Sequence, residues 1–163
     1  MKRVKLFLLL LLWPAMLFGA EDGQKTYKNE IPSYSFFYPS NWLLVAEPKA
    51  DYVDLLSPET KQQEHNSLDI QHGIKLEFVS DLTAENFKEK LEKEKFSECG
   101  STNDATRITF CSESEDMIFV VTGLKGDKTF VVAFGFIPEK EKKAEYLKQY
   151  LQIIESFTFT PKE

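Results

Sequence analysis

The chain has 163 residues, 42% apolar and 28% charged, with 20 Lys+Arg against 26 Asp+Glu and two cysteines. That length and apolar content suit one domain with a genuine core. Without its first 20 residues the chain keeps 17 Lys+Arg against 26 Asp+Glu, a balance of −9 in which Arg107 is the one arginine. Nucleic acid and anionic membrane surfaces are therefore poor partners, since both are bound through clustered cations.

The N-terminus has the plan of a secretory signal peptide. Lys2, Arg3 and Lys5 form a basic start, an apolar run follows from Leu6 to Phe18, and LFGA closes it before acidic EDG. This predicts a leader over residues 1–20, cleaved after Ala20, with cleavage after Gly19 as the alternative. The run falls short of the roughly 20 apolar residues needed to span a bilayer, and Pro14 interrupts it. No cysteine lies near the cut, which argues against a lipid anchor. The expected location is the periplasm or the exterior of a bacterium, with residues 21–163 forming a single domain.

Residues 21–30 are polar and are expected to be loose as far as Tyr27. Tyr34, Phe36 and Tyr38 alternate with Ser35 and Phe37, the period of a strand, and Pro39 closes it. Trp42 to Ala46 and Tyr52 to Leu56 read as two short strands. Ser57 to Gly73, SPETKQQEHNSLDIQHG, is the longest polar stretch and is expected to contain a loop. Ile74, Leu76 and Phe78 then alternate with Lys75 and Glu77, as in a half-buried strand.

A helix is expected from Thr83 to Phe96. Thr83 can cap it, Glu85 suits its positive end, and Leu82 can staple onto Phe87. Phe87 and Leu91 share its inner face. A strand follows over Thr106 to Cys111. Met117 to Val121 and Phe130 to Ile137 are continuous apolar runs, with a turn expected over Gly123 to Asp127. Such a hairpin needs cover on both faces, and helices are the expected cover. A second helix starts at Pro138, with Glu139 and Glu141 near its positive end. Its apolar stripe is Ala144, Leu147, Leu151 and Ile154, with Tyr146, Tyr150 and Ile153 beside it. Phe157 to Thr160 reads as a closing strand. The expected fold is α+β: an α/β/α sandwich with a central antiparallel sheet covered by helices on both faces.

Cys99 and Cys111 allow one intrachain disulfide, which export favours; two buried free thiols are the alternative. Two thiols alone are too few ligands for a metal site.

YSFFYPSNWLLVAEPKADYVDLLSP and the closing YLKQYLQIIESFTF resemble the PsbP-like superfamily, in a Tyr-Pro-x-x-Trp corner and an Ile-x-Ser-Phe exit into a last strand. The resemblance runs from about Tyr27 to Thr160. It implies the α/β/α sandwich and accessory or partner-binding roles, as in extrinsic photosystem II subunits, bacterial envelope proteins of the DcrB kind and a nuclear Ran-binding factor. This chain lacks the lipidation cysteine of many bacterial relatives, and its leader contradicts a nuclear role. In the YPSNW corner, Pro39, Ser40 and Asn41 are expected to turn the chain while Tyr38 and Trp42 bury their rings.

Catalytic motifs are missing from the sequence. There is no Gly-x-Ser-x-Gly elbow, Glu64-His65 lacks the second histidine of a zinc-protease helix, and GLKGDK lacks phosphate-loop spacing. His65, Asp69 and His72 would share a face if helical and could then hold zinc. The segment lacks helical periodicity, so two solvated histidines are the expected reading and no metal or other cofactor is predicted. Glu113, Glu115 and Asp116 form an acidic turn without the glycine of a calcium loop. The function expected is an exported, non-catalytic accessory protein that binds another envelope protein, with Ser57 to Gly73 as its leading candidate surface and a passive mobile loop as the alternative for that segment. The alternative is a periplasmic small-ligand or metal carrier.

Overall fold

The computed structural model describes residues 23–46, 52–61, 72–80, 84–99, 106–115 and 117–160. The leader, the cleavage site, Leu82 and Thr83 lie outside them. Among the described residues, ten strands form two antiparallel sheets. The larger contains β3 (Leu43–Ala46), β4 (Tyr52–Leu56), β5 (Lys75–Val79), β6 (Ser97–Glu98), β7 (Arg107–Glu113), β8 (Ile118–Lys125) and β9 (Phe130–Ile137), in the spatial order β3-β4-β5-β9-β8-β7-β6. The smaller has β2 (Ser33–Pro39) between β1 (Gln24–Glu30) and β10 (Thr158–Phe159). Short helices α1 (Pro58–Lys61) and α2 (Phe87–Lys93) and the longer α3 (Lys143–Glu155) complete the fold. The α+β class and the antiparallel sheet are thus as expected, but the sheet is accompanied by a second one.

Register explains which face of the large sheet is the core. Val53 and Leu55 stand opposite Phe78 and Leu76, which stand opposite Ala133 and Gly135, which stand opposite Thr122 and Val120. Because side chains alternate across a strand, these residues share one inner face. It packs against α3 and against Tyr34 and Phe36 of β2. The rings of Phe36 and Phe78 stack with centroids 4.5 Å apart, and Phe157 joins Tyr34 at 4.8 Å. Burying each such side chain contributes roughly 1.5–3 kcal/mol before conformational entropy is charged against it.

Helix α3 buries Tyr146, Tyr150, Ile153 and Ile154, whereas Ala144 is exposed and Leu147 and Leu151 are half-buried. The inward face is therefore rotated toward the tyrosines relative to the expected stripe. Gly135 causes this: without a side chain it lets the Tyr150 ring lie against the strand, where a Cβ would fall 2.8 Å from Cδ2. The Tyr150 hydroxyl then donates to the Ala133 carbonyl at 2.9 Å and lies 2.8 Å from Thr122 Oγ1. Leading into α3, Pro138 precedes a 3-10 turn over Lys140–Lys142, and the α-helix begins only at Lys143.

On the opposite, outer face, α2 contacts the sheet through Phe87. Its ring meets Phe130 and Phe110 edge-on at 5.2 and 6.2 Å and covers Gly123. No residue of α2 is buried. Asn86 (φ 58) and Lys95 (φ 65) bracket it in the left-handed region, so it is shorter than the helix expected from Thr83 to Phe96. The expected helical cover thus takes another form: α3 shares the inner face with the second sheet, and α2 meets the outer face through Phe87.

Two more local expectations change. Gly123 lies inside β8, and the turn sits further on, where the Gly126 N–H bonds the Thr129 carbonyl at 2.8 Å. The stretch before Tyr27, expected to be loose, is already paired from Gln24, and β1 runs along β2 from Gln24↔Pro39 to Glu30↔Ser33. The YPSNW corner matches its reading: the Trp42 N–H bonds Pro39 O at 3.0 Å, Trp42 is buried, and Tyr38 packs half-buried on the core. Cys99 and Cys111 form a disulfide, with Cα atoms 5.7 Å apart. Among the described residues, no helix is long and apolar enough to cross a membrane.

Candidate partner surface

The segment Ser57 to Gly73 is described at its two ends, and those ends are locked together. The Ser57 N–H bonds the Ile74 carbonyl at 3.0 Å, and the Ile74 N–H returns to Ser57 Oγ at 3.1 Å. Thr60 Oγ1 lies 3.0 Å from the His72 carbonyl and 3.2 Å from Ser57 Oγ. Gly73 has φ +79, and a Cβ there would collide with the Ser57 and Thr60 hydroxyls, so this position requires glycine. Serine, threonine and glycine at these places make a tight polar knot in which backbone groups are satisfied by side chains.

Glu139 ties that knot to the start of α3. Its Oε2 accepts from the Gly73 N–H at 3.0 Å and from the Tyr146 hydroxyl at 3.2 Å, and its Oε1 pairs with Lys142 Nζ at 3.0 Å. His72 Nδ1 lies 3.5 Å from the same Oε1. The Gly73 N–H, then Lys142, and then Tyr146 hold the Glu139 carboxyl down at about 2, outweighing the opposite pull of burial. Burial, followed by the Glu139 charge, pushes the Tyr146 phenol up, so it remains a donor. Glu139 was expected to serve the helix dipole; it makes no side-chain cap there and binds across to Gly73 instead.

A second ionic cluster occupies the outer face of the large sheet. Asp54 and Glu77 stand opposite one another on β4 and β5, and the Lys75 ammonium reaches both, at 3.1 and 3.2 Å. Lys75 is buried and also lies 5.9 Å from the Phe136 ring. Like carboxylates directly opposite each other repel, and the shared lysine offsets that repulsion. A buried lysine with two acceptors is arranged to hold strands together.

Of the residues singled out in sequence, His65 and Asp69 lie outside the described residues, and so does Asp116. His72 is described, exposed and adjacent to Glu139. Among the described residues no group of three or more His, Cys, Asp or Glu side chains could hold a metal. Glu113 pairs with Lys143 at 2.8 Å, which lowers its pKa, and Glu115 is exposed. Sequence reasoning missed both ionic clusters. The Asp54–Glu77 pairing follows from the alternation in YVDLL and KLEFV once those strands are placed side by side; the Glu139–Gly73 tie joins residues 66 apart and leaves no local pattern.

No protein-family model matches the chain, and no curated protein matches it by sequence. Solved structures do. The chain is similar to cyanobacterial PsbP (CyanoP) from Synechocystis sp. PCC 6803, with TM-score 0.50 and 9% identity over 91% of this chain and 99% of that one. The fold is PsbP-like. The Ran-binding protein Mog1p of Saccharomyces cerevisiae is similar at TM-score 0.53 and 8% identity, over 83% of this chain and 95% of that one. A looser likeness, at TM-score 0.42 and 13% identity over 87% of each chain, is to LpqN of Mycobacterium tuberculosis, described as involved in cell envelope biogenesis. At such identities the PsbP-like likeness concerns architecture, and function has to be argued from the residues.

Proposed function

We propose that this is an exported accessory protein without catalytic activity, which binds another protein of the cell envelope through the Ser57–Gly73 segment. In this reading residues 1–20 are a cleaved leader and residues 21–163 form one PsbP-like domain working in the periplasm or outside the cell. The observation that carries it is the knot of Ser57, Thr60, Gly73 and Glu139. It anchors both ends of a long polar segment to β4, β5 and α3, the arrangement by which a rigid scaffold presents a recognition loop. A partner's contacts at such a loop leave the core undisturbed. The acidic balance favours a protein partner over nucleic acid or an anionic membrane.

Affinity purification of the tagged protein from envelope extracts, without and with cross-linking, tests the reading. One envelope protein should co-purify reproducibly and in stoichiometric amount. Turnover of a substrate in a broad hydrolase screen, abolished by a point substitution in this chain, would overturn the non-catalytic reading.

A further inference from the structure

The part of the molecule that spans 84–99 is attached to the large sheet differently from α3. Helix α3 buries four side chains, while α2 buries none. Phe87 provides the ring contact, seated over Gly123 between Phe110 and Phe130. Within the unit Lys88 pairs with Glu92 and Glu98, and Lys93 pairs with Glu89. These are exposed pairs of small value. The strand that returns the unit to the sheet, β6, is two residues long and pairs Ser97↔Cys111 and Glu98↔Phe110. One residue later stands the covalent attachment, Cys99–Cys111. Both cysteines are half-buried, so a small reductant can reach the bond. Beneath the unit, Phe110 is fully buried.

We propose that the Cys99–Cys111 disulfide is a redox latch: its reduction releases residues 84–99 from the sheet and uncovers the apolar surface around Phe110 and Phe130, while the inner core stays folded. The reductant is a dithiol. One of its thiolates attacks a sulfur of the bond and forms a mixed disulfide, and its second thiol resolves that intermediate. Two electrons and two protons pass to the cysteine pair, and the dithiol leaves as its own disulfide. The argument rests on unequal anchoring. Cooperative units with few buried apolar contacts open below the free energy of global unfolding. The latch adds a cross-link that an unlinked two-residue strand lacks. Cys111 packs at the margin of the inner core, whose stacked rings and α3 are held by contacts other than the bond.

Hydrogen exchange read by mass spectrometry on the mature protein, oxidised and in dithiothreitol, is the test. Peptides from 84–99 are expected to exchange at least tenfold faster after reduction, with those from β9 and α3 unchanged. A Cys99→Ser/Cys111→Ser variant should exchange like the reduced protein; if it fails to fold, the reduced wild type still gives the answer. Phe87→Ala in the oxidised protein should raise exchange in α2 less than reduction does. Unchanged exchange in 84–99, or equal loss of protection in 84–99, β9 and α3, would overturn the latch.

Discussion

Replacing Glu139 by Gln keeps the shape of the side chain and removes its charge, so it isolates what the carboxylate does at the base of the Ser57–Gly73 segment. A shift from the ordinary 4.5 to about 2 corresponds to an upper bound on the order of 3 kcal/mol. Part of it comes from Lys142, whose side chain is 44% exposed, and that part is screened by solvent. The Gly73 and Tyr146 bonds are better shielded, because the Glu139 side chain is 13% exposed. A loss of about 1–2 kcal/mol at pH 7 follows, or a fall of roughly 3–8 °C in Tm for a domain of this size. The folded-state pKa is depressed, so the stabilisation is complete above the unfolded value of about 4.5 and fades as pH falls toward about 2. Urea melts of wild type and Glu139→Gln at pH 7 and pH 2.5 measure both quantities. The gap should be open at pH 7 and more than half closed at pH 2.5. Equal stability at pH 7, or a gap that ignores pH, would refute the reasoning.

Other consequences are testable with the same protein. Gly135→Ala puts a Cβ 2.8 Å from the pinned Tyr150 ring; overpacking of about 1–3 kcal/mol, less a gain of up to about 1 kcal/mol from replacing glycine, should leave a net loss seen as a lower urea midpoint. Tyr150→Phe removes a buried hydroxyl bonded to Ala133 O, and a loss of about 1–2 kcal/mol should appear in the same melts. Protein isolated from the envelope fraction should begin at or next to Glu21 by N-terminal sequencing; an intact leader in the cytoplasm would contradict export. Calorimetric titration with zinc should show no sub-micromolar site, and one that vanished in His65→Ala would revive the carrier reading.

What was legible in the sequence tracks how locally each feature is determined. The strands at Tyr34–Tyr38, Tyr52–Leu56 and Ile74–Phe78 show their period because one side of each faces the core. Strand β1 does not, since only Tyr27 and Asn29 of its seven residues turn inward and the rest are exposed and polar. Gly123 looks like a turn residue, but its bare backbone serves as the seat for the Phe87 ring, a contact 36 positions away. Lys75 reads as the solvent side of an alternating strand and is buried between two carboxylates, Glu77 of its own strand and Asp54 of the neighbouring one, the second of which the strand's own pattern does not contain. The same holds for the α3 stripe. Its pattern is compatible with several rotations, and the one adopted is chosen by the groove at Gly135.

The central claim is that the Ser57–Gly73 segment, presented by a rigid base, is where a partner binds. Residues 62–71 can be replaced by a short Gly-Ser linker that leaves Ser57, Thr60, Gly73 and Glu139 in place. Partner recovery from envelope extracts is then compared with that of the intact protein, alongside a thermal melt. The account predicts a Tm within about 2 °C of the intact protein and at least a tenfold loss of the co-purifying partner. A shortened protein that melts normally and still recovers its partner in full would contradict it.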